Sequence, residues 1–173
     1  DLFQNLNFFS PTEIRLNVAQ AESPDISLPE SLYKGQGAFN ITPLQIALAA
    51  GALTNQGIMP APRIVNGYQD YQGNWITLPK VGQNIQALEP QSSLWISNLL
   101  KVAESPHWQV TSTAITEDDQ TITWFIAGTT PDWQGQPTTI VILLEQDAPD
   151  LAEEIGLILL GETIHTSPLD NQQ

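Results

Sequence analysis

The sequence predicts a mixed α/β fold of the α+β kind, in which an antiparallel sheet of about three strands is packed by helices. Three observations carry this expectation: a capped helix signal at Thr42-Pro43-Leu44-Gln45, three β-rich runs between residues 108 and 145 joined by short turn-rich connections, and an acid-opened helical pattern over residues 150–164. At 173 residues, with 41% hydrophobic and 14% charged residues, the chain has the size and apolar content of one domain, and residues 1–173 are taken as one unit.

Residues 1–40 place Phe3, Phe8 and Phe9 near Pro11, Pro24 and Pro29 and hold no sustained period after Phe9. They are expected to be a short helix end followed mostly by loop, because each Pro fixes its own φ and pushes its predecessor toward extended geometry. A helix follows over residues 42–57. Thr42 suits the N-cap, Pro43 the first helical position and Gln45 the third, where its side chain closes a capping box. Ile41 and Ile46 stand at the positions of a hydrophobic staple, and Gly57 supplies the stop. Ala47, Ala49, Ala50, Gly51 and Ala52 allow close approach, so this helix is expected to be buried.

Residues 63–68 and 75–78, joined by Asp70-Tyr71-Gln72-Gly73-Asn74, read as a small hairpin. Pro90 opens a second helix, in which Trp95, Leu99 and Val102 share one face and Ile96, Leu100 and Ala103 the next; both faces are expected to pack, and the helix ends near Ser105-Pro106. Strands are expected over residues 108–116, 121–128 and 138–145, antiparallel because their loops are short. The unbroken apolar run from Ile140 to Leu144 predicts a strand covered on both faces. The helix over 150–164 supplies cover through Leu151, Ile155, Ile158 and Leu159, and the tail beyond Ser167-Pro168 is expected to fray.

Charge and residue counts exclude several functions. Five Lys+Arg against nineteen Asp+Glu give a net charge of -14, which repels nucleic acid and anionic lipid. Without cysteine there is no disulfide, thiolate zinc site or cysteine nucleophile, and two histidines cannot make a histidine-rich metal centre, so neither metal nor cofactor is expected. No apolar run approaches the roughly 20 residues of a membrane span, and no membrane contact by this segment is expected. The opening Asp1-Leu2-Phe3-Gln4 reads as the interior of a longer protein.

The candidate chemistry is sparse. Ser31-Leu32-Tyr33-Lys34 matches Ser-x-x-Lys, but Pro29 before it and Gly35 and Gly37 after it disfavour the helix that would put both side chains on one face. His107 and His165 lie in no triad or metal spacing and read as surface or packing residues. Asp118/Asp119 and Glu153/Glu154 read as solvated pairs. Gly35-Gln36-Gly37 lacks the third glycine, strand and lysine of a phosphate loop. Of the five tryptophans, Trp95 and Trp124 fall on expected packing faces, leaving Trp75, Trp108 and Trp133 as candidate exposed rings, for which core or loop anchoring is the favoured reading over carbohydrate stacking. No catalytic residue is identified.

A family resemblance enters through the run Gly35-Gln36-Gly37-Ala38-Phe39-Asn40-Ile41-Thr42-Pro43-Leu44-Gln45, then Thr54-Asn55-Gln56-Gly57 and Pro62-Arg63-Ile64-Val65. In this order the segments resemble the transpeptidase domain of penicillin-binding proteins. Thr123-Trp124-Phe125-Ile126-Ala127-Gly128-Thr129-Thr130-Pro131 is similar to that family's Trp-Phe strand, and residues 138–144 to the strand after it. The resemblance implies the C-terminal part of a transpeptidase or serine β-lactamase-like fold, on the outer face of a bacterial cell membrane and linked to peptidoglycan synthesis.

It also implies what this chain lacks. The family's nucleophile motif Ser-x-x-Lys and its Ser-x-Asn motif lie upstream of the Gly-Gln-Gly turn, and Ser31 and Lys34 fall in the wrong place. The third motif, Lys-Thr-Gly-Thr, aligns with Val110-Thr111-Ser112-Thr113, so Thr111, Ser112 and Thr113 are the candidate, degenerate substrate-binding residues. Val110 carries no charge, and a charge-assisted contact of about 1.5 to 3 kcal/mol is lost with the lysine. The chain by itself is expected to be inactive. Its expected partners are the upstream part of a transpeptidase domain or another cell-wall protein, with a homodimer as a further outcome if the strand over 138–145 leaves an open edge. The alternatives are a non-catalytic interaction or scaffold module, and part of an active D,D-transpeptidase whose Ser and Lys lie upstream.

Overall fold

Local sequence signals and the architecture agree through most of the chain. A computed structural model describes residues 2–6, 8, 12, 14, 18, 41–79, 81–116 and 118–165. Most of the loop expected over residues 1–40 lies outside the described residues, as do the Gly-Gln-Gly turn, Ser31, Lys34 and the tail. A short helix α1 (Leu2–Asn5) opens the chain.

Helix α2 (Pro43–Thr54) begins where the capping residues require. The Gln45 N–H donates to Thr42 Oγ1 at 3.3 Å, and Gln45 Oε1 accepts from the Thr42 N–H at 3.1 Å, closing the capping box. The helical part ends three residues before Gly57. Asn55 donates its N–H to Gly51 O, and Gly57, at φ +85, donates to Ala52 O at 2.7 Å, so the turn at 55–57 replaces the last helical turn expected over 42–57. Only glycine fits there, since a Cβ would lie 2.1 Å from Leu88 O.

Two small antiparallel ladders follow. Strands β1 (Ile58–Met59) and β4 (Ile85–Gln86) pair with each other, and β2 (Gly67–Gln69) pairs with β3 (Trp75–Thr77) as the expected hairpin. Met59, Ala52 and Ala87 are buried with Leu6, Leu48 and Leu88 against them, forming the smaller of two cores.

Helix α3 (Pro90–Leu99) starts at its proline but packs through a different face from the one its apolar residues suggest. Ser93 and Ser97 are fully buried, while Trp95 is 69% and Leu99 70% exposed. The physical reason is close approach: Ser93 Oγ donates to Leu53 O at 2.8 Å and to Ala52 O at 3.3 Å, satisfying carbonyls in the last turn of α2 that have no partner within the helix. A bulky side chain in that position would hold the two helices apart.

The main sheet has the order β5-β6-β7, all antiparallel, from β5 (His107–Ile115), β6 (Thr121–Thr129) and β7 (Thr139–Leu144). Helix α4 (Pro149–His165) packs on one face and α2 on the other. Alternation along β6 assigns the faces: Phe125 and Ala127 are fully buried with Ala152 and Leu160 of α4, whereas Gly128 abuts Thr54 of α2. A Cβ on Gly156 would lie 2.1 Å from the Phe125 ring, so this glycine lets α4 settle onto the sheet. The apolar run in β7 is covered from both sides, as expected, although each of its residues is only half-buried because β7 ends the sheet.

Candidate functional site

Strand β5 carries the three candidate residues at the other edge of the sheet, beside the Trp-Phe strand. Thr111 lies opposite Phe125, Ser112 opposite Trp124 and Thr113 opposite Thr123. The segment after α3 covers the start of this edge: the Gln109 N–H donates to Leu100 O at 3.2 Å, and His107 O accepts from the Val102 N–H at 3.1 Å. Residues 107 and 109 therefore direct their backbone groups away from β6. Since direction alternates along a strand, Thr111, Thr113 and Ile115 do the same. Among the described residues nothing pairs with them. Thr111 and Thr113 thus present a short ladder of N–H donors and C=O acceptors that no described residue pairs with.

The side chains divide between the two faces. Trp108, Val110 and Ser112 point toward the α2 side. Trp108 is only 1% exposed, and its Nε1–H donates to Thr54 Oγ1 at 3.2 Å. It is a core anchor, the favoured of its two readings, and the exposed indoles are Trp75 and Trp95, the latter against expectation. Val110 lines an apolar cavity of about 310 Å³ with Leu53, Leu88, Ile96, Leu100 and Ile126. A lysine there would need its ammonium to reach past this lining into water, so valine fits the surroundings it has. Ser112 is exposed.

On the opposite face a polar network joins β5 to α4. Gln109 Nε2 donates to Glu153 Oε1 at 3.0 Å, and Thr111 Oγ1 donates to Glu153 Oε2 at 3.4 Å. Glu153 is therefore no freely solvated member of an acidic pair: α4 delivers it to the sheet across 42 residues of sequence from Thr111. The network continues through His107, whose Nε2 lies 3.3 Å from Gln109 Oε1 and whose Nδ1 meets Ser105 Oγ. With the Gln109 amide oriented by its bond to Glu153, its Oε1 faces the His107 ring. The serine–histidine pair escaped sequence reading because it is local and has no motif spacing. A neutral amide, not a carboxylate, backs this histidine, and its work is to fix the turn at 105–107. His165 closes α4.

Thr111, Ser112 and Thr113 thus stand together on a sheet edge, with the Thr111 hydroxyl engaged away from the α2 face and its main chain unpaired by any described residue. Among the described residues no three His, Cys, Asp or Glu side chains gather into a metal site, and no helix is long and apolar enough to cross a membrane. The arrangement can hold an extended chain by main-chain hydrogen bonds.

No protein-family model and no curated protein matches the chain significantly. Solved structures do. Penicillin-binding protein A from Mycobacterium tuberculosis superposes with a TM-score of 0.81 at 21% identity, over 94% of this chain and 44% of that one. Penicillin-binding protein 3 from the same organism, in complex with aztreonam, gives 0.73 at 18% identity over 96% and 46%. The D,D-transpeptidase domain of a peptidoglycan glycosyltransferase from Eggerthella lenta gives 0.72 at 14% identity over 95% and 47%. The chain spans less than half the length of each of these proteins, and what it shares with them is the fold of penicillin-binding protein transpeptidase domains.

Proposed function

We propose that the chain is the sheet-bearing, C-terminal part of a penicillin-binding-protein-like transpeptidase domain linked to peptidoglycan synthesis outside the cytoplasmic membrane, and that it does not react by itself. The observation that carries this reading is the free β5 edge. Thr111 and Thr113 turn their backbone groups outward beside Trp124-Phe125, where the family resemblance places the substrate strand. Val110 and Ser112 replace the lysine and glycine of that motif, which leaves main-chain pairing without the cation that would hold a substrate carboxylate.

The partner in this reading is the remainder of the domain. It meets the half-buried β7 edge and the apolar cavity at Val110, and it supplies the reacting serine and lysine. A fluorescent penicillin tests the proposal. Chain 1–173 is expected to take no covalent label, whereas a longer protein that includes a preceding Ser-x-x-Lys is expected to label. Labelling of chain 1–173 overturns the inactivity, and failure of the longer protein to label leaves a scaffold.

The scaffold reading has its own support. Strand β5 pairs one-to-one from His107↔Thr129 to Ile115↔Thr121 without a bulge and contains neither Pro nor Lys, so beyond the start covered by the segment after α3 no bulge, Pro or Lys blocks this edge. In an acidic chain such an edge suits a cationic extended segment. A pull-down with the chain that recovers a basic cell-wall protein, lost on Thr113→Pro, favours this reading. A homodimer through β7 predicts a doubled mass in light scattering.

A further inference from the structure

Residues 62–65, with Ile14, Leu78, Pro79 and Val81, line a second cavity, far in sequence from β5, of about 190 Å³. Pro62, Ile64, Val65, Leu78 and Val81 give it an apolar wall, and Arg63 is the one charged residue among the described residues that line it. Arg63 is half-buried. Its Nη2 donates to Leu78 O at 2.6 Å and to Asn66 O at 3.5 Å, clamping the base of the β2–β3 hairpin. Those two bonds occupy one nitrogen. Among the described residues Nε and Nη1 meet no acceptor, and no carboxylate pairs with the guanidinium.

This is unexpected in a chain with nineteen acidic residues. The acid nearest in sequence, Asp70, is turned inward on the hairpin loop, accepting from the N–H groups of Gln72 at 2.8 Å and Asn74 at 2.9 Å. A guanidinium with spare, forked donors beside an apolar hollow complements a planar anion attached to a hydrocarbon body. Size agrees, because an apolar cavity of roughly 150 Å³ accepts benzene. Ile64 and Val65 are exposed at the rim, where burial by a ligand would add to the contact.

We propose that the Arg63 cavity is a binding site for a carboxylate carried on a small apolar body, either a free acid or the C-terminal residue of a peptide. The site is independent of the transpeptidase reading, since it shares no residue with β5.

Benzoate titrated into the isotopically labelled chain tests it by amide NMR. Saturable shifts confined to residues 62–65 and 78–81 are expected, with benzamide at least about tenfold weaker. Arg63→Gln is expected to abolish the benzoate preference and Arg63→Lys to keep part of it. Because Arg63 also clamps the hairpin, Val81→Phe provides a second variant, which fills the cavity with the guanidinium intact and is expected to remove binding. Acetylated Ala-Val-Leu distinguishes the sources: tighter binding of its free acid than of benzoate, lost in its C-terminal amide, identifies a peptide end, and equal affinity identifies a free acid. Absence of saturable binding, equal binding of benzamide, or shifts elsewhere in the chain overturns the proposal.

Discussion

Thr111 Oγ1 donates to Glu153 Oε2 across 3.4 Å, so the hydroxyl of the first candidate residue on β5 is tied to the C-terminal helix and turned away from the α2 face of the sheet. The same carboxylate accepts from Gln109 at 3.0 Å. Whatever pairs with β5 therefore meets the main chain of Thr111, and the helix holds the strand flat behind it.

Removing that carboxylate tests the coupling. Glu153→Ala is expected to lower stability by about 1 kcal/mol, because two half-exposed polar groups lose a charged acceptor that water partly replaces. For a chain of this size that corresponds to a Tm lower by roughly 3 °C in differential scanning calorimetry. Glu153→Gln keeps one acceptor oxygen and is expected to fall less than half as far. Equal Tm values for all three proteins would show the contact to be inert.

Phe125 and Gly156 form the tightest joint in the larger core. Gly156→Ala puts a methyl group 2.1 Å from two ring carbons of a side chain with no exposure, and neither α4 nor the sheet has room to give. A loss of about 2 to 3 kcal/mol is expected in urea unfolding, partly recovered in the double variant with Phe125→Leu. A neutral Gly156→Ala would mean that α4 sits further from β6 than described.

Helix α3 offers a paired test of its packing face. Ser93→Leu is expected to cost about 2 kcal/mol or more, since it inserts a large side chain between α3 and α2 and removes the donor to Leu53 O. Trp95→Ser is expected to stay within about 0.5 kcal/mol, because the indole is mostly in water. The reverse order would restore the face that the apolar residues suggest.

Asp70 gives the hairpin a dependence on pH. The backbone N–H of Asn74 is the main cause holding its carboxyl below the ordinary 3.8; desolvation opposes it, and the Asn74 side chain and the N–H groups of Gln72 and Gly73 add to the lowering. A carboxyl depressed in the folded state stabilises the fold above its unfolded pKa and loses that contribution as pH falls through the folded value. The contribution should be complete near neutrality and fade below pH 3.8. An NMR titration is expected to place the Asp70 midpoint below 3.8, and in Asn74→Ala the midpoint moves back up.

Much of the fold was legible because its signals are local. The Thr42-Pro43-x-Gln45 box fixes a helix start with four residues, and the ends of β5, β6 and β7 fall within one residue of the expected strands. Packing was less legible. Serine carries no hydrophobic signal, yet Ser93 and Ser97 are the buried side of α3 because small side chains permit close approach. Trp108 is buried because Thr54, 54 residues earlier, accepts its indole N–H. At the candidate site, alignment to the Trp-Phe strand located Thr111, Ser112 and Thr113, whereas Glu153 depends on where α4 lands and has no sequence signature.

Thr54 closes the last turn of α2 with a hydroxyl that accepts from Trp108 Nε1 at 3.2 Å and from Thr139 Oγ1 at 3.3 Å, in space that Gly128 leaves open. One oxygen atom thereby links the three-stranded sheet to the helix whose other side belongs to the Met59 cluster. Without this rivet the two halves would have less reason to melt together: Thr54→Val should split a single calorimetric peak into two overlapping ones, the Met59 half giving way first.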